Sequence, residues 1–140
     1  MIREPTIDGD TISIPSNPNH IIAVDEFIEG KLREMGMDES TIADIAISVT
    51  EVVNNGIVHG NKSDPKKILT VTMYKSGKDV KFVVTDQGAG FDPETIGNPL
   101  DEENLLREAG RGIFIARSLM DDVDINPSPT GVTVTLTKTL

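Results

Sequence analysis

The chain contains no cysteine and no tryptophan, and among its 140 residues there are one tyrosine and four phenylalanines. Without cysteine there are no disulfide staples and no thiolate metal sites, so stability must come from an ordinary apolar core. A chain of this length can bury such a core as one domain. Positive charge is also scarce, with 13 Lys and Arg against 23 Asp and Glu, a formal net charge of -10. That balance argues against broad nucleic-acid binding, which needs a basic footprint. It leaves nucleotides open, because backbone N–H groups and a metal can hold their phosphates. No apolar run has membrane length, and the opening MIREPTIDGD lacks a basic segment followed by an apolar one. The expectation is a cytoplasmic protein with no membrane partner.

The most informative stretch is residues 42–60, IADIAISVTEVVNNGIVHG. Ile42, Ile45, Ala46, Val49, Val52, Val53 and Gly56 recur at three and four, the period of a helix with one buried face. At its far end Glu51, Asn55 and His59 stand at i, i+4 and i+8, roughly in one row. Two consecutive asparagines, Asn54 and Asn55, cost helix propensity. A ligand or metal is a reason to tolerate them.

Before this helix, Thr6 to Ile14 alternates loosely and reads as an edge strand. Asn17 and Pro18 read as the cap and first position of a helix carrying Ile21, Val24, Ile28, Leu32 and Met35, with Gly36 placed to end it. Asp38 to Thr41 offers caps for the central helix. After the polar loop GNKSDPKK, residues 68–74 and 80–85 read as a hairpin turning at 75–79. Residues 86–110 have little periodicity, an unusual length of irregular chain that is often a functional lid, with a short helix expected at 101–108. Ile113, Ala116, Leu119 and Met120 mark a further helix. Strands at 123–125 and 132–140 close the chain, the latter alternating Val132, Val134 and Leu136 against Thr133, Thr135 and Thr137. The order β-α-α-β-β-loop-α-β-β predicts an α+β, two-layer α/β sandwich with helices on one face of a mostly antiparallel, mixed sheet. The expected domain is single, residues 1–140, with a lid at about 91–110.

Three features carry chemistry. The first is Glu51 with Asn55. The second is Asp86-Gln87-Gly88-Ala89-Gly90 straight after a strand, where glycines permit close approach of backbone to ligand. The third is Gly110-Arg111-Gly112-Ile113 opening a helix, whose first N–H groups suit phosphate. An Asp at a strand end can accept from an exocyclic amine, and an Asn oxygen can ligate Mg²⁺. Each feature has a plainer reading: Glu51 as a solvated charge, the DxGxG run as a turn, the GRG run as a tight helix entry.

Their order and spacing resemble the ATPase superfamily shared by DNA gyrase B, the Hsp90 chaperones, histidine kinases and MutL, which implies a Bergerat-type ATP-binding fold. IPSNPNHI, EVVNNGIVHGN, VVTDQGAGFDP, GRGIFIARSLMDDV and GVTVTLTK more narrowly resemble stand-alone serine-protein kinases that act as bacterial anti-sigma factors, over about residues 12–139. That resemblance implies ATP and Mg²⁺ as cofactors and a sigma factor sequestered by the protein. It also implies phosphorylation of a serine or threonine on a small anti-sigma-factor antagonist, and a homodimer.

Carried onto this chain, Glu51 is the general base and Asn55 the Mg²⁺ ligand. Asp86 reads the adenine amine, Gly88 and Gly90 let the chain turn beneath the base, and Gly110 and Gly112 let the loop wrap the phosphates. N–H groups from Arg111 to Ile113 contact those phosphates. Arg111 adds charge there or is a surface arginine, and Thr135 bonds near the adenine or is a sheet threonine. His59 is read as bracing the loop after the helix, because His20 is the only other histidine and no three-ligand zinc set is present. The rival readings are a non-catalytic ATP-binding switch with a different target, an ATPase-like domain directed at another regulator, and a plain α/β domain without nucleotide.

Overall fold

A computed structural model describes residues 3–88 and 111–140. Two strands, β1 (Thr6–Asp8) and β2 (Thr11–Pro15), open the chain as a hairpin. A 3₁₀ turn, Pro18–His20, leads into helix α1 (Ile21–Glu34), and α2 (Glu39–Asn55) follows. Strands β3 (Ile68–Ser76) and β4 (Asp79–Thr85) form the second hairpin. The described part of helix α3 covers 111–119, and β5 (Asp122–Ser128) and β6 (Gly131–Thr139) complete the fold. The six strands lie in the order β1-β2-β3-β4-β6-β5, and all five pairings are antiparallel. This is the expected α+β sandwich, with no parallel pair among the described residues.

Local chemistry sets the helix ends. Asn17 accepts the N–H of Asn19, and Asp38 accepts that of Thr41 with its carboxylate, so each satisfies a donor at a helix start. After α1 the N–H of Gly36, in the left-handed region at φ 73°, donates to Arg33, and that of Met37 to Leu32. The N-terminal segment departs from expectation, being a hairpin rather than one strand. Residues 6–8 are all exposed, so no buried face imposes a period of two, and Gly9 at φ 59° turns the chain.

The core lies between the sheet and the helices. Ile12, Ile14, Leu69, Val71, Phe82 and Leu136 are fully buried from the sheet, as are Val24, Ile28, Leu32, Ile45, Val49 and Val53 from α1 and α2. Ala116 and Met120 bring α3 against the same cluster. Against the sequence expectation, the run Glu39–Gly60 is long and apolar enough by composition to cross a membrane. Its apolar face is instead the middle of this core, as the period of three and four requires. The opposite sheet face is hydroxyl-rich, and Thr11 and Thr72 hydrogen-bond across it at 2.9 Å.

The central helix reaches the expected length but changes winding. From Gly56 to Gly60 it is a π-helix, closed by the N–H of Asn61 on the carbonyl of Gly56 at 2.7 Å. The wider turn takes His59 out of the row that Glu51 and Asn55 share.

Candidate nucleotide site

The site lies at the end of α2, which meets the end of β4 on one side and the first described turn of α3 on the other. Asp86 follows β4 directly and is buried, at 7 % exposure. A carboxylate out of water needs donors, and Asp86 has two on Oδ1: the N–H groups of Gly88 and Val132, both at 3.0 Å. Its own N–H donates to the carbonyl of Val132 at 3.1 Å. Both oxygens are therefore fixed in direction, and Oδ2 faces the π-turn.

That closeness depends on two glycines. A Cβ on Gly60 would overlap Oδ2 of Asp86, and one on Gly88 would overlap the carbonyl of Gly60. The π-turn and the strand end thus approach backbone to backbone, which explains why the run after β4 carries glycine.

A third glycine brings α3 to α2. A Cβ on Gly112 would lie 3.0 Å from Nδ2 and 3.4 Å from Oδ1 of Asn55, and 3.3 Å from Oε2 of Glu51. Gly112 is buried, while Glu51 and Asn55 are half-buried on the last turns of α2. A carboxylate and an amide are thereby set against the first described turn of another helix, an arrangement suited to an anion and its cation. Ile113 is half-buried against the core and Arg111 is exposed. Among the described residues no three His, Cys, Asp or Glu side chains form a metal cluster. A hard ion held chiefly by phosphate oxygens, water and one side-chain oxygen needs none.

The structure therefore brings together Glu51, Asn55 and Gly112, and separately Asp86 and Gly88 against the same helix end. Gly90, Gly110 and the expected lid at 91–110 lie outside the described residues. Thr135 does not join the cluster, and of its two readings the sheet threonine is the one its position fits. It alternates with Val134 and Leu136, which are buried in the core, so its side chain stands on the opposite sheet face, paired across from Val83 and Asp124. The β6 residue at Asp86 is instead Val132, through its N–H. Sequence reasoning also passed over Asn61, expected in a polar loop but fully buried, and its partner Ser16. Both stand inside the family-like runs IPSNPNHI and EVVNNGIVHGN, the one signal that marked them.

The family model described as the histidine kinase-like ATPase domain matches residues 14–138. The serine-protein kinase RsbW of Staphylococcus aureus is 32 % identical over 132 residues, covering 89 % of this chain and 82 % of that protein. The same protein from the Newman strain is 31 % identical over the same shares. A crystal structure of RsbU and RsbW domains from a Mycobacterium tuberculosis protein superposes with a TM-score of 0.70 at 26 % identity, covering 93 % of this chain. This chain spans only 31 % of that longer one. A blue-light activated histidine kinase of Erythrobacter litoralis shares the fold, with a TM-score of 0.57 at 17 % identity over 87 % of this chain and 40 % of its own. ATP use follows from the domain type. The chain belongs to the histidine kinase-like ATPase family and, within it, to the serine-protein kinases.

Proposed function

We propose that this protein is an ATP- and Mg²⁺-dependent serine/threonine-protein kinase that acts as an anti-sigma regulatory factor. The observation that carries it is the seating of Gly112 against both Glu51 and Asn55. A half-buried carboxylate at the mouth of an anion-binding helix start has little structural purpose, since it desolvates a charge beside the place where phosphate binds. As a general base it has one. Glu51 takes the proton of the substrate hydroxyl as that oxygen bonds to the γ-phosphorus and the bond to ADP breaks. Asn55 supplies an oxygen ligand to Mg²⁺, which when bound offsets charge on the phosphates. Asp86 accepts from the adenine amine through Oδ2, its Oδ1 being engaged by Gly88 and Val132. Residues 111–113 give N–H groups to the phosphates.

The substrate is a small anti-sigma-factor antagonist, phosphorylated on serine or threonine, and the sequestered partner is a sigma factor. The protein works as a cytoplasmic homodimer and as one domain. The test is phosphate transfer from γ-labelled ATP to antagonist-like proteins of the same genome, comparing the natural chain with Glu51→Gln. Transfer should fall at least about 100-fold in the variant, the usual scale for losing a general base. ATP affinity should stay within about threefold, because the base contributes to the transition state rather than to ground-state binding. ATP binding without transfer to any candidate would favour a partner-holding switch.

A further inference from the structure

Asn61 is the only buried side-chain amide among the described residues, and it is fully enclosed. Its Oδ1 accepts the N–H of Gln87 at 2.7 Å. Its Nδ2 donates to Ser16 Oγ at 2.7 Å and, at 3.4 Å, to the carbonyl of Ile68. Ser16, 1 % exposed, passes the chain on by donating to the carbonyl of Lys67 at 2.6 Å. Gln87 is pinned a second time, its Oε1 accepting the N–H of Ile68 at 2.8 Å.

These bonds tie the end of β2, the start of β3 and the π-turn to a single peptide, the one that follows Asp86. Each backbone N–H from Asp86 to Gly88 has a fixed acceptor: Val132, Asn61 and Asp86 itself. Gln87 is the member of the three whose acceptor comes from the helix side. Apolar packing could fill the space at Asn61, but it could not hold the Gln87 N–H, and that part-buried donor would lose its fixed acceptor.

We propose that Asn61, seated on Ser16, is a positioning residue for nucleobase selection. It fixes the depth of the Asp86 carboxylate behind the π-turn and so sets the contact that distinguishes an amino purine from an oxo purine. This rests on the nucleotide reading given above, and extends it to residues that touch neither base nor phosphate. Asp86 offers an acceptor to an exocyclic amine. Guanine presents a carbonyl at that place and is rejected only while the carboxylate cannot retreat. The atoms nearest a Cβ at Gly112 belong to Asn55 and Glu51 and to no member of this network. Asn61 therefore acts on base affinity and not on the transfer step.

The experiment is titration of the full chain with ATP and GTP, with steady-state transfer kinetics, for the natural sequence, Asn61→Ala and Ser16→Ala. Lys66→Ala, in the exposed part of the same loop, is the control. Asn61→Ala should weaken ATP binding about tenfold and lower the ATP-over-GTP preference by a similar factor, the scale of one buried hydrogen bond. Its kcat at saturating ATP should stay within about twofold, so that the loss appears in KM. Ser16→Ala should move the same quantities by about threefold, since Asn61 keeps its bond to Gln87 but loses its anchor. Should Asn61→Ala fail to fold, Ser16→Ala decides. A purely architectural role predicts a lower Tm in both variants with the ATP-over-GTP ratio unchanged, and that result overturns the proposal while leaving the nucleotide reading intact. Absence of ATP binding by the natural chain overturns both.

Discussion

At the residue scale, two glycines separate close approach from mere flexibility. Gly88 has no room for a side chain, because a Cβ there overlaps the carbonyl of Gly60. That neighbour is backbone at the end of a hydrogen-bonded π-turn, which cannot yield as a side-chain tip would. Gly30, exposed in the middle of α1, has nothing within 4 Å of its Cβ position. Gly88→Ala should cost about 1–3 kcal/mol, the range for overpacking. In a chain of this size that lowers Tm by roughly 3–10 °C. Gly30→Ala should raise stability by about 0.5–1 kcal/mol, because alanine loses less backbone entropy in a helix. Thermal unfolding of both variants checks the pair, and a Gly88→Ala protein as stable as its parent would contradict the packed contact. The same scale shows what sequence can reveal about a site. The positions of Glu51, Asn55, Asp86, Gly88 and Gly112 in the fold were legible because each sits at a recognisable junction of helix or strand. Asn61 was not, because its partners are 45 residues away at Ser16 and 26 away at Gln87. No local period records such contacts.

At the element scale, the acidic face of α1 supplies a pH-dependent term. Asp25 is pushed up to about 6, first by burial, then by its hydrogen bond to Glu29 and by the charges of Glu29 and Glu26, with Arg33 pulling the other way. Its folded-state pKa lies above the unfolded value, so its stabilising contribution is complete below about pH 4 and lost as pH rises through about 6. Asp25→Asn removes the titration. The variant should gain about 1 kcal/mol over the parent near pH 7.5, a figure reduced for solvent screening of a half-exposed group. The gain should shrink towards zero near pH 4.5, and a difference in Tm that ignores pH would remove Asp25 as its source. Elements of this kind were readable in advance where a buried face or a cap imposed a rule. The α2 stripe, the Asp38 cap, Gly36 and the alternation of β6 all follow their sequence signals. The β1–β2 hairpin did not, since three exposed residues carry no burial pattern. The π-turn was hidden for another reason. Its apolar spacing through Ile57 is compatible with an α-helix, and it is the hydrogen bond from Asn61 to Gly56 that widens it. Thr135 had two readings because its residue type matched a role at the base, while its place in the alternation put it on the other face.

At the scale of the whole molecule, the question is how a chain of net charge -10 holds a polyanion. Its charge repels nucleotide at long range, so on the proposed reading affinity comes from short-range contacts: Asp86 to the base, and helix N–H groups with a cation at the phosphates. Two consequences distinguish this from a binder that works by general electrostatic attraction. Saturating Mg-ATP stabilises the fold by mass action, about 2.7 kcal/mol at a hundredfold excess over Kd. That should raise Tm by roughly 8 °C at this chain length. The rise should persist as salt is increased to about 0.15 M, because screening weakens the long-range repulsion while the buried contacts are little affected. A protein attracting phosphate through surface lysines would lose its shift over the same range. Asp86→Asn should abolish most of the rise, since it replaces an acceptor facing the base with a donor. Glu51→Gln should keep it, since the proposed base of the transfer step is not needed to bind. Thermal shifts of the three proteins with and without Mg-ATP, at low and moderate salt, thus separate holding the nucleotide from acting on it. A shift that vanished with salt, or survived in Asp86→Asn, would place the nucleotide somewhere other than between α2, β4 and α3.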